Sequence, residues 1–127
     1  MRWTAKRDAL YGVVNAANSF YGTATTLAAR LRFDLAPPIE LLGPNLLLEL
    51  QRLNDELNTI LDDIDSSIVL ASLCTAQSFQ PELDALWEAV KNASMNRSDP
   101  SGDAVYAIRP AIGFFIAKSR KYLAFED

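Results

Sequence analysis

The spacing of large aliphatic side chains between Leu46 and Ile64 restricts this chain's fold more than any other feature. Leu46, Leu50, Leu53, Leu57, Ile60 and Ile64 succeed one another at steps of 4, 3, 4, 3 and 4. That repeat is the heptad seam of a coiled coil or an antiparallel bundle. Leu47 and Leu61 are expected to widen the seam into a broader core-facing stripe. An apolar stripe of this kind needs other helices with matching faces to cover it.

Partners for the seam are visible on both sides of it. A long first helix is expected from about Thr4 to Leu31, with Leu10, Val13 or Val14, Ala17, Phe20 or Tyr21, Ala24, Leu27 and Leu31 on one face. No proline interrupts it, and Gly12 and Gly22 weaken it only modestly. Arg32 to Pro38 is a connector, because Pro37 and Pro38 cannot continue a helix and push Ala36 toward an extended shape. A short turn at Ile39 to Leu42 leads to Gly43-Pro44, where proline at the first helical position restarts the helix that carries the seam.

Asp62-Asp63-Ile64-Asp65-Ser66-Ser67 permits two readings. Carboxylates oppose the dipole of a helix end but favour a helix start, so Asp65 or Ser66 can cap a new helix through Ile68, Val69, Leu73 and Cys74 to about Ser78. One continuous bent helix is the alternative. Pro81 opens a further helix with Leu83, Leu86, Trp87 and Val90 on one face, ending near Met95, and Asn96 to Gly102 is a loop. The last helix spans about Asp103 to Ala124, with Val105, Ile108, Ile112, Phe115, Ser119 and Tyr122 in register; Pro110 inside it demands a kink or a delayed start. No alternating strand pattern and no internal repeat occurs. The expected fold is all-α: one domain over residues 1–127, an antiparallel bundle of four main helices with a long first helix, or five if the second splits near Asp65.

The composition removes several function classes. The chain has no histidine, the commonest metal ligand and general base. A sequence pI near 4.8 argues against broad nucleic-acid binding, which needs a basic surface. There is no phosphate-binding glycine loop and no nucleophile elbow. Asp62, Asp63 and Asp65 lie too close in sequence to converge on a metal from different helices. The single cysteine, Cys74, lies in an apolar stretch with no cation near it in sequence, so a buried, inert thiol is expected. One cysteine also fits a reducing, cytoplasmic compartment. No catalytic residue, cofactor or metal site is expected, and the chain reads as non-enzymatic.

Charge is distributed unevenly. Residues 1–32 hold five cations and one anion, whereas residues 33–65 hold one cation and eight anions. Complementary rims that fix the packing order explain this pattern. The functional alternative is a partner-binding acidic patch at Glu49, Glu56 and Asp63, spaced by sevens on one helix face. Trp3, Trp87, Phe114 and Phe115 are core anchors by type, but adjacent Phe114 and Phe115 cannot both point inward, so one of them is a candidate contact for a partner. Arg2, Lys6 and Arg7 beside Trp3 resemble the cytoplasmic flank of a membrane helix. Lys118, Arg120 and Lys121 add to an anion-attracting membrane face if both helix ends lie on the same side. No signal peptide is visible, and the most apolar run, Ile39 to Leu50, is far shorter than the roughly 20 residues of a spanning helix, so the chain as given is expected to be soluble.

Three stretches together resemble small helical domains of bacterial proteins of unknown function. Lys6-Arg7-Asp8-Ala9-Leu10-Tyr11 is similar to the opening of their long first helix. Ile39-Glu40-Leu41-Leu42-Gly43-Pro44 is similar to the hydrophobic turn before their second, and Phe115 to Leu123 to their closing helix. The resemblance implies a bundle and a membrane tether upstream, and it carries no catalytic residues. The functional expectation is a helical bundle that binds another protein or itself. The alternatives are the cytoplasmic domain of a single-span membrane protein and a small-molecule binder with a pocket between helices.

Overall fold

Helix α1 runs from Trp3 to Phe33 and α2 from Pro44 to Cys74, each 31 residues long and therefore roughly 46 Å at 1.5 Å per residue. A 3₁₀ turn at Gln77–Phe79 leads into α3 (Gln80–Met95); a single helical turn, α4 (Asp103–Tyr106), precedes α5 (Ile108–Phe125). This computed structural model describes residues 3–33 and 43–125, and none of these forms a strand. The expected turn at Ile39 to Leu42 and the part of the expected connector beyond Phe33 lie outside the described residues, as does Arg2.

The architecture is an all-α antiparallel bundle of four main helices, α1, α2, α3 and α5. α1 packs most extensively on α2 and also borders α5, while α3 lies against α5. Three contacts fix the directions. Arg30 near the end of α1 meets Glu49 near the start of α2. Trp3 at the start of α1 donates to the Leu123 carbonyl near the end of α5. Arg32 at the other end of α1 donates to the Ser101 carbonyl just before α4. The core is built from Leu10, Val13, Phe20 and Leu27 of α1, Leu53, Leu57 and Ile64 of α2, Leu83, Leu86 and Val90 of α3, and Ile108, Ile112 and Phe115 of α5.

α2 does not split at Asp65. Asp62, Asp63 and Asp65 all face solvent, while Ile64 between them is fully buried and Ile68 and Ala71 continue the seam beyond. Neither glycine nor proline occurs between Asn45 and Cys74, so burial of the seam outweighs the unfavourable local signals. The helix ends at Cys74 rather than near Ser78. Thr75 turns to an extended conformation, and both its N–H (3.0 Å) and its hydroxyl (2.7 Å) donate to the Ala71 carbonyl. Two expectations for α2 are corrected: Leu47 lies off the seam and is exposed, and Cys74 is partly exposed instead of buried. Val69 and Leu73, within the helix, face solvent.

At the other turn, Arg97 fastens the end of α3 to α2. Its guanidinium donates to Asn58 Oδ1 (2.9 Å) and to the Ser94 carbonyl (3.0 Å), and partial burial lowers its pKa without discharging it. Asp99 accepts bonds from the Ser101 hydroxyl and backbone N–H, which hold its carboxyl below the usual value. Gly102 has φ 70°, and a Cβ there would stand 2.9 Å from the Tyr106 ring and 3.3 Å from Ala28 Cβ. Only glycine combines that backbone with that clearance. Pro110 produces a delayed start: the helix breaks at Ala107 and resumes at Ile108, which places proline in the first turn, where its missing N–H would have had no partner.

A continuous α2 makes Ser66→Pro a sharp test. In mid-helix, proline removes one backbone bond and clashes with the turn before it, at about 3 kcal/mol or more. Urea unfolding monitored by circular dichroism is expected to show that loss. A variant of unchanged stability would mean that a helix starts at this position.

Candidate functional site

The acidic residues singled out by spacing do lie along one edge of α2, the edge that faces α1. They do not converge, because seven residues of helix separate neighbours by about 10 Å. Glu49 Oε1 accepts from Arg30 Nη2 at 3.0 Å, so it ties the beginning of α2 to the end of α1. Glu56 Oε2 accepts from Arg52 Nη1 at 3.1 Å on the exposed surface; such a pair contributes under about 1 kcal/mol. Glu56 and Asp63 border a wide, shallow groove whose other wall is Ala16, Ser19, Gly22 and Thr23 of α1. This edge is an open, water-accessible surface, and Glu49 on it already has an internal partner.

The two adjacent phenylalanines separate cleanly. Phe115 is 3% exposed and packs edge-on against Phe79 at a centroid distance of 5.9 Å, whereas Phe114 is 73% exposed. The same outward face of α5 carries Pro110, Gly113 and Ala117, which with Phe114 line a shallow apolar hollow. Tyr106 of α4 is exposed just before it. A Cβ added at Gly113 would meet nothing within 4 Å among the described residues, so their packing does not require a glycine there. Around this strip stand Arg109, Lys118, Arg120 and Lys121, and residues 108–125 contain no carboxylate at all. A second apolar exposure lies at the end of α2, where Val69, Leu70 and Leu73 are 53%, 54% and 73% exposed.

The start of α1 and the end of α5 form a basic, aromatic corner. Trp3 Nε1 donates to the Leu123 carbonyl at 3.2 Å. The Arg7 guanidinium lies over the rings of Trp3 (5.1 Å) and Tyr11 (6.0 Å), and Lys6 over that of Tyr122 (5.7 Å), contacts that favour a cation electrostatically. Tyr122 in turn accepts the Ala76 N–H at 2.8 Å and stacks on Phe79. The cations at the two helix ends therefore do lie on the same side of the bundle.

Within this corner α1 and α5 leave a pocket of about 160 Å³. Its apolar lining is Leu10, Val14, Ile116 and Leu123, and its polar lining is Arg7, Tyr11, Ser119 and Arg120. A neighbouring cleft of about 280 Å³ shares Arg7, Tyr11, Arg120 and Leu123 and extends to Trp3 and Ala124. Ser119 is 6% exposed, and its hydroxyl has no hydrogen-bond partner. Sequence reasoning placed Ser119 in the apolar register of the last helix without drawing the consequence. A hydroxyl in a core position is the signal that was available.

Among the described residues, no group of three or more aspartate, glutamate or cysteine side chains is arranged to hold a metal ion. No described helix is long and apolar enough to cross a membrane. Comparison with protein-family models, curated proteins and solved structures gives no match for this chain.

The orphaned hydroxyl makes its own prediction. Leaving a buried polar group without a partner costs about 1–3 kcal/mol, so Ser119→Ala is expected to raise the free energy of unfolding by about 1 kcal/mol. Chemical denaturation measures this directly. A destabilised variant would mean that the hydroxyl is bonded in solution.

Proposed function

We propose that the protein is a non-enzymatic helical bundle that acts by association, packing the outward face of α5 against an apolar, acid-rimmed helix of a partner. The observation that carries this reading is Phe114, a large aromatic side chain 73% exposed in an uncharged strip. Single exposed apolar residues are common, but a strip running through Tyr106, Pro110, Gly113, Phe114 and Ala117 removes ordered water when covered. Aromatic anchors of this kind dominate interface energetics.

The surroundings state the partner's chemistry. Cations alone frame the strip on α5, so the complementary surface is apolar with carboxylates beside it. The chain itself offers such a surface: Val69, Leu70 and Leu73 are exposed on α2, a helix that also exposes Asp62, Asp63 and Asp65. A second copy is therefore the first partner to test. One helix face is a small contact, below about 1,200 Å², the range of transient association. We assign this action to the cytoplasm, in keeping with a chain that has one cysteine and no disulfide framework.

Light scattering behind size exclusion, repeated over a wide range of loading concentrations, tests the proposal with Phe114→Asp as control. The native chain is expected to gain mass with concentration, or to capture a host protein that the variant fails to capture. A native chain that stays monomeric and captures nothing dependent on Phe114 contradicts it.

A further inference from the structure

We infer that the corner between the start of α1 and the end of α5 is a binding site for a small organic monoanion, a carboxylate whose apolar body is the size of one aromatic ring. Two departures from ordinary packing coincide there. Packed helices usually close the space between them, yet a partly open pocket of about 160 Å³ remains at the surface between Leu10, Ile116 and Leu123. Buried hydroxyls are nearly always hydrogen-bonded, yet that of Ser119, one of the lining residues, is not.

Size and charge define the ligand class. An apolar cavity of about 150 Å³ accepts a benzene-sized molecule, and the pocket's apolar lining offers such a body nothing to hydrogen-bond. Arg7 and Arg120 line both this pocket and the adjoining cleft, which opens toward Trp3. Guanidinium groups bind carboxylates with paired, charge-assisted bonds, and Arg120 forms neither an ion pair nor a hydrogen bond with any described residue. Among the described residues Arg7 is engaged with exposed Asp8 at 3.3 Å and with the Trp3 and Tyr11 rings, a weak pairing that a carboxylate can replace. The ring enters the pocket, the carboxylate meets the two guanidinium groups, and the Ser119 hydroxyl gains a polar neighbour. An anionic membrane surface would use the same cations, but a bilayer has no need of an apolar recess one ring in size.

Methyl-resolved NMR of the full chain, titrated with phenylacetate, tests this site. Saturable shifts are expected at the Leu10, Ile116 and Leu123 methyls, with benzyl alcohol, the same ring without the charge, binding much more weakly. Arg120→Gln, an exposed change that leaves the fold intact, is expected to weaken phenylacetate about tenfold or more and to leave benzyl alcohol unaffected. Phe114→Asp is expected to keep full phenylacetate binding, so this site and the association face fail or succeed separately. Three results would overturn the inference: no saturable shift at these methyls, equal affinity for acid and alcohol in both native chain and Arg120→Gln, or sedimentation with phosphatidylglycerol vesicles by a chain that ignores phenylacetate.

Discussion

Every other contact in the bundle takes its position from the seam between α1 and α2, where a helix with small core residues receives one with large ones. α1 buries Ala9, Ala17, Ala24 and Ala28 among its larger core residues, while α2 inserts Leu53, Leu57 and Ile64. Each Leu or Ile so buried contributes about 1.5–3 kcal/mol. Alternation of small and large across facing positions lets two helices of 31 residues stay in contact for most of their length. α3 and α5, with 16 and 18 residues, then add the other half of the core against a frame already set.

That frame dictates where charge and apolar surface are left over. α1 bears its cations at its two ends, and among the described residues Arg30 at the far end pairs with Glu49 across the bundle. Its near end lies beside α5, which is basic as well. Lys6, Arg7 and Arg120 gather there with aromatic faces beneath two of them. Two guanidinium groups on one pocket, those of Arg7 and Arg120, repel each other, and a bound anion relieves that repulsion. The period of α5 has a parallel effect on apolar surface. Once Phe115 is committed to the core, Phe114 is turned some 100° away from it, and no element of the described chain covers it.

Much of the fold was legible because periodicity is local. Leu46 through Ile64 specified α2, the steps from Leu10 to Leu31 specified α1, and Pro81 and Asn96 to Gly102 marked the beginning of α3 and the loop after it. Continuity through Asp62 to Ser67 was not legible, since three carboxylates look alike at a helix start and on the solvent face of a helix interior. Burial of Ile64 decides between them, and burial is a property of the partner helix. The same limit applies to the surfaces. Pairing of Phe114 with Phe115 announced that one must be exposed, but which one depended on the register of α5. The corner pocket joins Arg7 to Arg120 across more than a hundred residues, and no local pattern encodes it; only Ser119, a hydroxyl in an apolar register, hinted that the packing there is incomplete.

Native-state hydrogen exchange is the most direct measure of whether the α1–α2 seam is one cooperative unit. Amides from Leu53 to Ala71, including those between Asp62 and Ser67, and those from Val13 to Leu27 are predicted to exchange together, only through global unfolding. Rapid exchange confined to Asp62–Ser67, with protected segments of different stability on either side, would contradict a continuous α2 and the frame built on it.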